Sequence, residues 1–377
     1  MTLAEWILLG FALIWFGFAI YLCMGWEKWL QYRPGTTSSV KPLRISVIIP
    51  VRNEAENILA LLEDLQQQTL PPDQFEVIIA NDHSIDNTAE LVENFQANYR
   101  LTVLNLSSES GSSPKKRAIS QALQIAQHEW IVSTDGDCRV GPDWLSSIIT
   151  YQQHSQAKLI AGLVTFHDEG TLASRIQIIE FASLVGTAAV SMFLKRPNMC
   201  NGANLSYAKS AFYEVGGFTG NEQLASGDDE FLMHKIAARF PDDVHFLNQQ
   251  EAIVSTFAHH SWQSFYQQRR RWASKWKFYS DWKVSALAIF VFLVHLSVII
   301  AVTGWITGVW PGWVMALVVL AKCTAEFLFL AKVARFLKQT AAIFCIPFTQ
   351  LIYPFYVCFF GLLAQGKGYR WKGRKLQ

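Results

Sequence analysis

Long apolar segments lie near both ends of this chain, and they constrain its fold more than any other feature. The first segment, residues 3–24, carries a single charged residue, Glu5. It is long enough to cross a hydrocarbon layer of about 30 Å. Basic residues follow it, none precedes it, and no small-residue cleavage site comes after it. We therefore expect residues 1–30 to form an uncleaved transmembrane anchor whose N-terminus lies outside the cell.

Residues 284–366 hold three further apolar segments, which we predict to be membrane segments. They are residues 284–305, 313–331 and 341–364. Counting alternate crossings places the basic tail, residues 367–377, outside, whereas its lysines and arginines favour the cytosolic side. Pro347 and Pro354 interrupt the last segment, so it either crosses the membrane or re-enters it as a hairpin.

Residues 42–260, between these segments, have the pattern of a soluble α/β domain. Four apolar runs predict strands, and residues of helical periodicity lie between them. The runs are residues 45–51, 75–80, 101–106 and 130–134. Strands that alternate with helices predict an α/β fold with a mostly parallel sheet flanked by helices. We interpret the apolar stretch 176–194 as domain core, or as a face lying on the membrane, rather than as a span.

Acidic residues follow three of the predicted strands. Glu54 comes after the first strand, Asp82 after the second, and Asp135 and Asp137 end the fourth. Because ligands of such sheets gather beyond the carboxyl ends of the strands, we expect these residues to converge on one crevice. Two carboxylates in this position suit a hard divalent cation and a diphosphate. Taken singly, each cluster also fits an ordinary polar turn or a helix cap.

A further acidic cluster, residues 228–230, opens a predicted helix. Adjacent like charges repel one another, although a helix N-terminus partly offsets that cost. One of these three acids in a closed cleft would serve as a general base near neutral pH. The alternative is a solvated first helical turn.

Residues 261–283 interleave aromatic and basic side chains next to a predicted membrane segment. That composition fits an amphipathic interfacial helix, with rings at the lipid headgroups and cations at the phosphates. Nucleic-acid binding requires a similar composition, but the neighbouring apolar span favours the membrane. Further along, Lys322 and Glu326 lie four residues apart in a membrane segment, as expected for an ion pair. Such a pair is either a structural staple or part of an acceptor or polymer path.

Together these motifs resemble those of the membrane-bound glycosyltransferase family 2. The resemblance covers residues 45 to 283 and rests on motifs in the family's order. They are the run 46–54, the Asn81-Asp82 turn, Lys115-Lys116, Asp135-Gly136-Asp137, Asp228-Asp229 and residues 268–272. The resemblance implies a GT-A fold, a nucleotide-diphosphate sugar donor that is usually UDP-linked, Mg²⁺ or Mn²⁺ as cofactor, and inversion of the anomeric centre.

Matching the motifs residue by residue implies specific roles. Asp82 would contact the uracil, and Lys115 the nucleotide region. Asp135 and Asp137 would lie at the ribose, the diphosphate and the metal ion. Asp229 matches the acid that deprotonates the acceptor hydroxyl.

The motif Q-x-x-R-W is matched by Gln268, Arg271 and Trp272, and implies a position near the diphosphate and the acceptor. The chain departs from the family pattern at Asn81, where an aspartate is common. It departs again at Pro114, where a glycine usually precedes the lysine, and at Asp228, where a glutamate is frequent. The first two departures weaken the expected grip on the base and the expected approach of Lys115, and the third leaves Asp229 in place.

Two functions fit this pattern: transfer of one sugar to a membrane-embedded lipid, and processive polysaccharide synthesis coupled to export. An export channel needs several helices around a hydrated path, and three or four spans are few for that. We therefore expect a lipid or glycan acceptor, a nucleotide-sugar donor, a membrane partner and no nucleic acid. The expected location is the bacterial inner membrane, with the catalytic domain in the cytosol.

Overall fold

The computed structural model divides into two compact units. The first comprises Met1–Lys28, Asp168–Thr187 and Ala258–Gln377, and the second comprises Trp29–His167 and Ala188–Phe257. The structure describes residues 1–35, 43–107, 113–222, 224, 226–273, 282–363, 369–371 and 374–376. Residues 274–281 of the predicted interfacial region, and residues 367, 368, 372, 373 and 377 of the predicted tail, lie outside the described residues.

Helices and strands are numbered in chain order. The helices are α1 (Leu3–Gln31), α2 (Ile58–Gln66), α3 (Thr88–Glu93), α4 (Pro114–Ile125), α5 (Trp144–Ser155), α6 (Leu172–Phe193), α7 (Lys209–Glu214), α8 (Asp228–Arg239), α9 (Trp262–Ala273), α10 (Trp282–Ile306), α11 (Gly312–Phe336) and α12 (Ile346–Leu363). The strands are β1 (Ile45–Val51), β2 (Phe75–Asn81), β3 (Arg100–Asn105), β4 (Trp130–Ser133), β5 (Leu159–Ala161), β6 (Val164–Phe166), β7 (Leu205–Ala208), β8 (Val244–Phe246), β9 (Val254–Thr256), β10 (Tyr369–Trp371) and β11 (Arg374–Leu376).

The second unit is built on a mixed sheet. Among the described residues, seven strands pair in the order β3-β2-β1-β4-β7-β5-β8. The four predicted strands, β1 to β4, run parallel to one another. Strand β7 is antiparallel to both β4 and β5, and β8 is parallel to β5. The predicted mostly parallel sheet flanked by helices is confirmed.

Strands β1, β2 and β4 form because they are continuous, mostly apolar runs that can be covered on both faces. Strands β2 and β4 are buried along their whole length, and β1 is buried except at Pro50. Such continuous apolar runs are typical of parallel strands covered on both sides. Helix α2, which follows β1, buries the four residues of its predicted apolar stripe. They are Ile58, Leu61, Leu62 and Leu65.

The first unit contains helices of membrane-spanning length. Of the described helices, five are long and apolar enough to cross a bilayer: α1, α6, α10, α11 and the run Thr340–Leu363 that ends in α12. This agrees with an integral membrane protein. The last run joins a 3₁₀ segment, Thr340–Cys345, directly to α12, and Pro354 lies within α12. The segment is thus one helical run, which favours a crossing over a hairpin; that it crosses stays a prediction.

Helix α6 meets the length and composition of a span although it was expected to be core or membrane-facing. Two-thirds of its most apolar stretch is buried, the largest share among these helices. Its residue Glu180 is 7% exposed. That α6 is domain core or membrane-facing, rather than a span, stays a prediction.

The predicted ion pair between Lys322 and Glu326 is confirmed, and it joins four helices of the first unit. The Lys322 ammonium lies 2.9 Å from the Glu326 carboxylate and donates to Gln350 Oε1 on α12 at 2.6 Å. Trp15 Nε1 on α1 donates to Glu326 Oε1 at 2.9 Å, and His295 on α10 lies 3.9 Å from the same oxygen. Because these contacts link helices to one another, they favour the structural staple over an acceptor path.

Candidate active site

Asp82, Asp135 and Asp137 follow β2 and β4 at the carboxyl edge of the parallel strands in the second unit. Strand β1 pairs with β2 on one side and β4 on the other, so the chain leaves β2 and β4 at the same edge. The turn after β4 packs tightly against the end of β1. A Cβ atom at Gly136 would lie 3.0 Å from both Val51 Cγ1 and Glu54 Cγ. Any larger residue between Asp135 and Asp137 would therefore have to displace these two side chains by a few tenths of an ångström.

Lys115 links two of the acidic clusters. Its Nζ lies 2.6 Å from Asp135 Oδ1 and 3.5 Å from Asp228 Oδ2. Burial by itself lowers the pKa of Lys115, but the carboxylates of Asp135, Asp228 and Asp229 outweigh burial and raise the pKa above its ordinary value. The lysine consequently stays charged at physiological pH. Pro114, the departure from the family pattern, begins helix α4, a position that suits proline, and it does not keep Lys115 from the acidic residues.

Asp229 is held by two backbone N–H groups at the start of α8. Its Oδ2 accepts from the N–H of Gly202 at 2.9 Å, and its Oδ1 accepts from the N–H of Glu230 at 2.8 Å. Gly227 adopts a left-handed conformation (φ 82°) immediately before the helix. The orientation of the half-buried Asp229 carboxylate is thereby fixed.

Gly202 is a site residue to which sequence reasoning assigned no role. A Cβ atom there would lie 3.2 Å from Lys115 Nζ and 3.4 Å from Asp228 Oδ2. Its carbonyl accepts from Ser133 Oγ at 3.1 Å, which ties it to the end of β4. The only signal in the sequence was the run Asn-Gly-Ala-Asn, residues 201–204. Its position beside Lys115 depends on the fold and is seen only in the structure.

Asn204 anchors that run. Its Nδ2 donates to the carbonyls of Leu163 at 2.9 Å and Ala252 at 2.8 Å, and its Oδ1 accepts from Trp144 Nε1 at 3.1 Å. The side chain is 2% exposed. Buried amides that are fully hydrogen-bonded rigidify their surroundings, so Gly202 is held firmly in the crevice.

Asp82 lies directly after β2, and its carboxylate forms an ion pair with an arginine of the same unit. Arg117, on α4, places Nη2 2.5 Å from Asp82 Oδ1, and both residues are buried. Arg52 Nη1 also donates to the Asp82 carbonyl at 2.6 Å. Sequence reasoning missed Arg117, although it lies only two residues after Lys115.

Asn81, the other departure from the family pattern, has a structural explanation. Its Nδ2 donates to Asn105 Oδ1 at 2.7 Å, and its Oδ1 accepts from the N–H of Ser84 at 3.1 Å. An aspartate accepts hydrogen bonds but donates none when ionised. The amide therefore ties β2 to β3 while it shapes the turn that carries Asp82.

Asp135 and Asp137 fit a divalent cation of the magnesium type. Within the described part of the chain, no group of three or more His, Cys, Asp or Glu side chains is arranged to hold a metal ion alone. Mg²⁺ is normally bound through one or two carboxylates together with substrate phosphates and water, so a pair is the expected donor set. The adjacent Cys138 is no competitor, because burial, and then the charges of Asp137 and Asp135, raise its thiol pKa well above the ordinary value.

The remaining predicted residues belong to the first unit. Gln268, Arg271 and Trp272 lie on α9, so the predicted helix is present. Trp272 stacks on Phe181 of α6 with ring centroids 5.8 Å apart. Gln268 Oε1 accepts a hydrogen bond from its neighbour Arg269.

A mixed sheet of this order, with acidic residues and a lysine at the carboxyl edge of its parallel strands, agrees with a GT-A type of fold. The fold is similar to that of a mannosyltransferase from Pyrobaculum calidifontis, solved in complex with GDP-Man and Mn²⁺. The TM-score is 0.57 at 16% identity, over 93% of this chain and 99% of the other. The model of glycosyl transferase family 21 matches residues 9–377, and the chain belongs to that family. The expected resemblance to membrane-bound glycosyltransferases, and the assignment as an enzyme, are confirmed.

Curated relatives match about half of the chain. The poly-beta-1,6-N-acetyl-D-glucosamine synthase of Staphylococcus epidermidis is 27% identical over 174 residues, which is 46% of this chain and 41% of the relative. Glycosyltransferase AglE of Haloferax volcanii is 29% identical over 187 residues, 49% of this chain and 58% of the relative. The chain thus spans about half the length of the curated relatives that it matches.

Proposed function

We propose that this protein transfers a sugar, with inversion, from a nucleotide-diphosphate sugar to a hydroxyl or phosphate of a membrane-embedded lipid. The nucleotide is uridine diphosphate. The observation that carries the proposal is the cluster in which Lys115 and Gly202 bring Asp135, Asp228 and Asp229 together. It combines an anion-binding group with a candidate base in a chain that also has helices of membrane-spanning length.

The donor occupies the crevice at the strand ends. Asp82 accepts a hydrogen bond from the base, and Lys115 lies against the nucleotide. Asp135 and Asp137 hold Mg²⁺ or Mn²⁺, as supported by the Mn²⁺ in the similar mannosyltransferase. When bound, this ion supplies positive charge that offsets the charge of the departing diphosphate.

Asp229 acts on the acceptor. A hydroxyl is a poor nucleophile, so a carboxylate within hydrogen-bond reach accepts its proton while the oxygen attacks the anomeric carbon. The bond from that carbon to the diphosphate breaks on the opposite face, and the nucleoside diphosphate leaves. A single displacement of this kind inverts the anomeric configuration. The two backbone N–H donors keep the Asp229 carboxylate oriented for this step.

Gln268, Arg271 and Trp272 act near the diphosphate and the acceptor. A guanidinium such as that of Arg271 stabilises the negative charge that develops on the leaving group. We propose a cytosolic catalytic domain on the bacterial inner membrane, because nucleotide sugars are cytosolic and the basic residues after α1 favour that side.

The second candidate is processive polysaccharide synthesis, which the similarity to a poly-N-acetylglucosamine synthase favours. Both candidates are tested with the full chain in membranes and radiolabelled UDP-sugars, followed by separation of organic-soluble from insoluble product. Label in an organic-soluble glycolipid, lost with EDTA and restored by Mn²⁺, supports lipid transfer. High-molecular-weight polymer refutes the lipid assignment. Activity that survives EDTA refutes the metal role of Asp135 and Asp137.

A further inference from the structure

Three consecutive arginines, residues 269–271, precede Trp272 on α9, and they have different surroundings. Arg269 is 2% exposed, whereas Arg270 and Arg271 are partly exposed. The Arg269 guanidinium faces Glu180 of α6 with two nitrogens: Nε lies 3.0 Å from Oε1, and Nη2 donates to Oε2. A bidentate pair of this kind is geometrically specific.

The ion pair has further partners on both sides. Tyr356 of α12 donates its hydroxyl to Glu180 Oε1 at 2.7 Å. The Arg269 guanidinium carbon lies 4.4 Å from the ring centroid of Phe265 and 4.6 Å from that of Trp272. The buried ion pair therefore joins three helices: α6, α9 and α12.

Arg269 also contacts two residues of the Q-x-x-R-W motif directly. Its Nη1 donates to Gln268 Oε1, and its guanidinium lies over the Trp272 ring. The Trp272 ring also stacks on Phe181, the residue that follows Glu180. The guanidinium faces a carboxylate inside the unit, so charge neutralisation of a substrate is not its role.

We propose that Glu180 and Tyr356, acting through Arg269, are positioning residues that fix the orientations of Gln268 and Trp272. The motif itself does not specify Arg269, which occupies one of its variable positions. The inference rests on the proposed function, since it assumes that Gln268 and Trp272 act on the diphosphate or the acceptor. A misplacement of about 1 Å in such groups lowers the rate of transfer by about 100-fold.

A purely structural role for the ion pair predicts a different outcome. Replacing both members of a buried pair by apolar side chains of similar size is often neutral for stability, whereas removing one member leaves an uncompensated charge. The double variant E180M/R269M therefore removes the hydrogen bond to Gln268 while it avoids that charge. If the ion pair only stabilises the fold, E180M/R269M should have both the unfolding temperature and the kcat of the wild type.

The test measures kcat, donor KM and unfolding temperature for the full chain in detergent. For E180M/R269M we expect an unfolding temperature near that of the wild type and a kcat lowered by about 10- to 100-fold, with donor KM changed less. R269K serves as the second variant, because lysine keeps the charge but lacks the planar fork. It should lower kcat without unfolding the protein. Wild-type kcat in R269K overturns the inference whether or not the double variant folds.

Two comparisons complete the test. R175Q removes an ion pair with Asp168 from the same helix α6 and should leave kcat and KM unchanged. If Arg269 acts partly through Gln268, then R269K should lower kcat by a smaller factor in a Q268A background than in the wild type, whereas independent effects that multiply refute the coupling. Full activity of Q268A, R271A and W272A refutes the motif's role in the proposed function. Loss of activity in those three variants alongside a normal R269K refutes the positioning inference alone.

Discussion

Replacing Asp229 by asparagine separates the proposed base from its structural surroundings. The change preserves size and leaves one oxygen, but it removes the group that accepts the acceptor's proton. General-base catalysis contributes about 10²- to 10⁴-fold, so we expect kcat to fall by that factor. At about 1.36 kcal/mol per tenfold, the barrier rises by about 3 to 5 kcal/mol.

The structural cost of the same change is smaller. The wild-type carboxylate accepts from the N–H groups of Gly202 and Glu230, and an asparagine oxygen retains only one of these bonds. Losing a hydrogen bond to a charged group costs about 1.5 to 3 kcal/mol, and the half-exposed position favours the lower figure because water solvates the freed N–H. An unfolding temperature lowered by about 3 to 6 °C would match. Most of the protein therefore stays folded during the assay.

The assay counts radiolabelled sugar in the organic-soluble fraction, alongside UDP binding measured by calorimetry on the same preparation. D228N is the matched control, because Asp228 is the adjacent acid, differs from Asp229 in contacting Lys115, and undergoes the same isosteric change. We expect D229N to bind UDP nearly normally and D228N to lose far less kcat. Near wild-type transfer by D229N, or an equal loss in both variants, would refute the assignment of Asp229 as the base.

Three further changes probe the crevice and its unit. K115M removes the cation beside Asp135. Donor KM should rise about 10- to 100-fold, which corresponds to the free energy of one hydrogen bond to a charged group. An unchanged KM contradicts a donor-binding role for Lys115. G202A places a methyl group 3.2 Å from the lysine Nζ and should lower kcat/KM by more than about tenfold, while differential scanning fluorimetry shows little loss of stability. Burial, followed by the charge of Lys195, lowers the pKa of His245, so the unfolded state binds its proton more readily. Stability should therefore fall as pH drops below about 6.5, and H245Q should show a shallower decline in unfolding temperature between pH 7 and 5 than the wild type.

The local elements of the catalytic unit were predictable because their signals lie within short stretches of chain. Continuous apolar runs specified β1, β2, β3 and β4, and the apolar spacing after β1 specified α2. The antiparallel strand β7 was not predictable in this way. Its four residues are apolar enough for any buried segment, and its place between β4 and β5 depends on long-range pairing.

The membrane segments, too, were only partly predictable from the sequence. Length and hydropathy predicted α1, α10, α11 and α12, since a bilayer imposes a minimum length on any span. They did not resolve whether the proline-containing segment bends back, because proline inside a helix is tolerated where neighbouring groups satisfy the backbone. Only the structure shows that Thr340–Leu363 is a continuous helical run.

The sequence by itself determined the family, the fold class and the acidic residues of the candidate site, because these depend on ordered motifs and local periodicity. Only the tertiary structure decided which groups meet. Lys115 reaches Asp135 and Asp228, Gly202 closes on Asp229, and Arg269 rather than Arg271 becomes the buried arginine of its helix. Each of these contacts joins residues far apart in the chain. Their energies depend on burial and geometry, which a linear pattern does not contain.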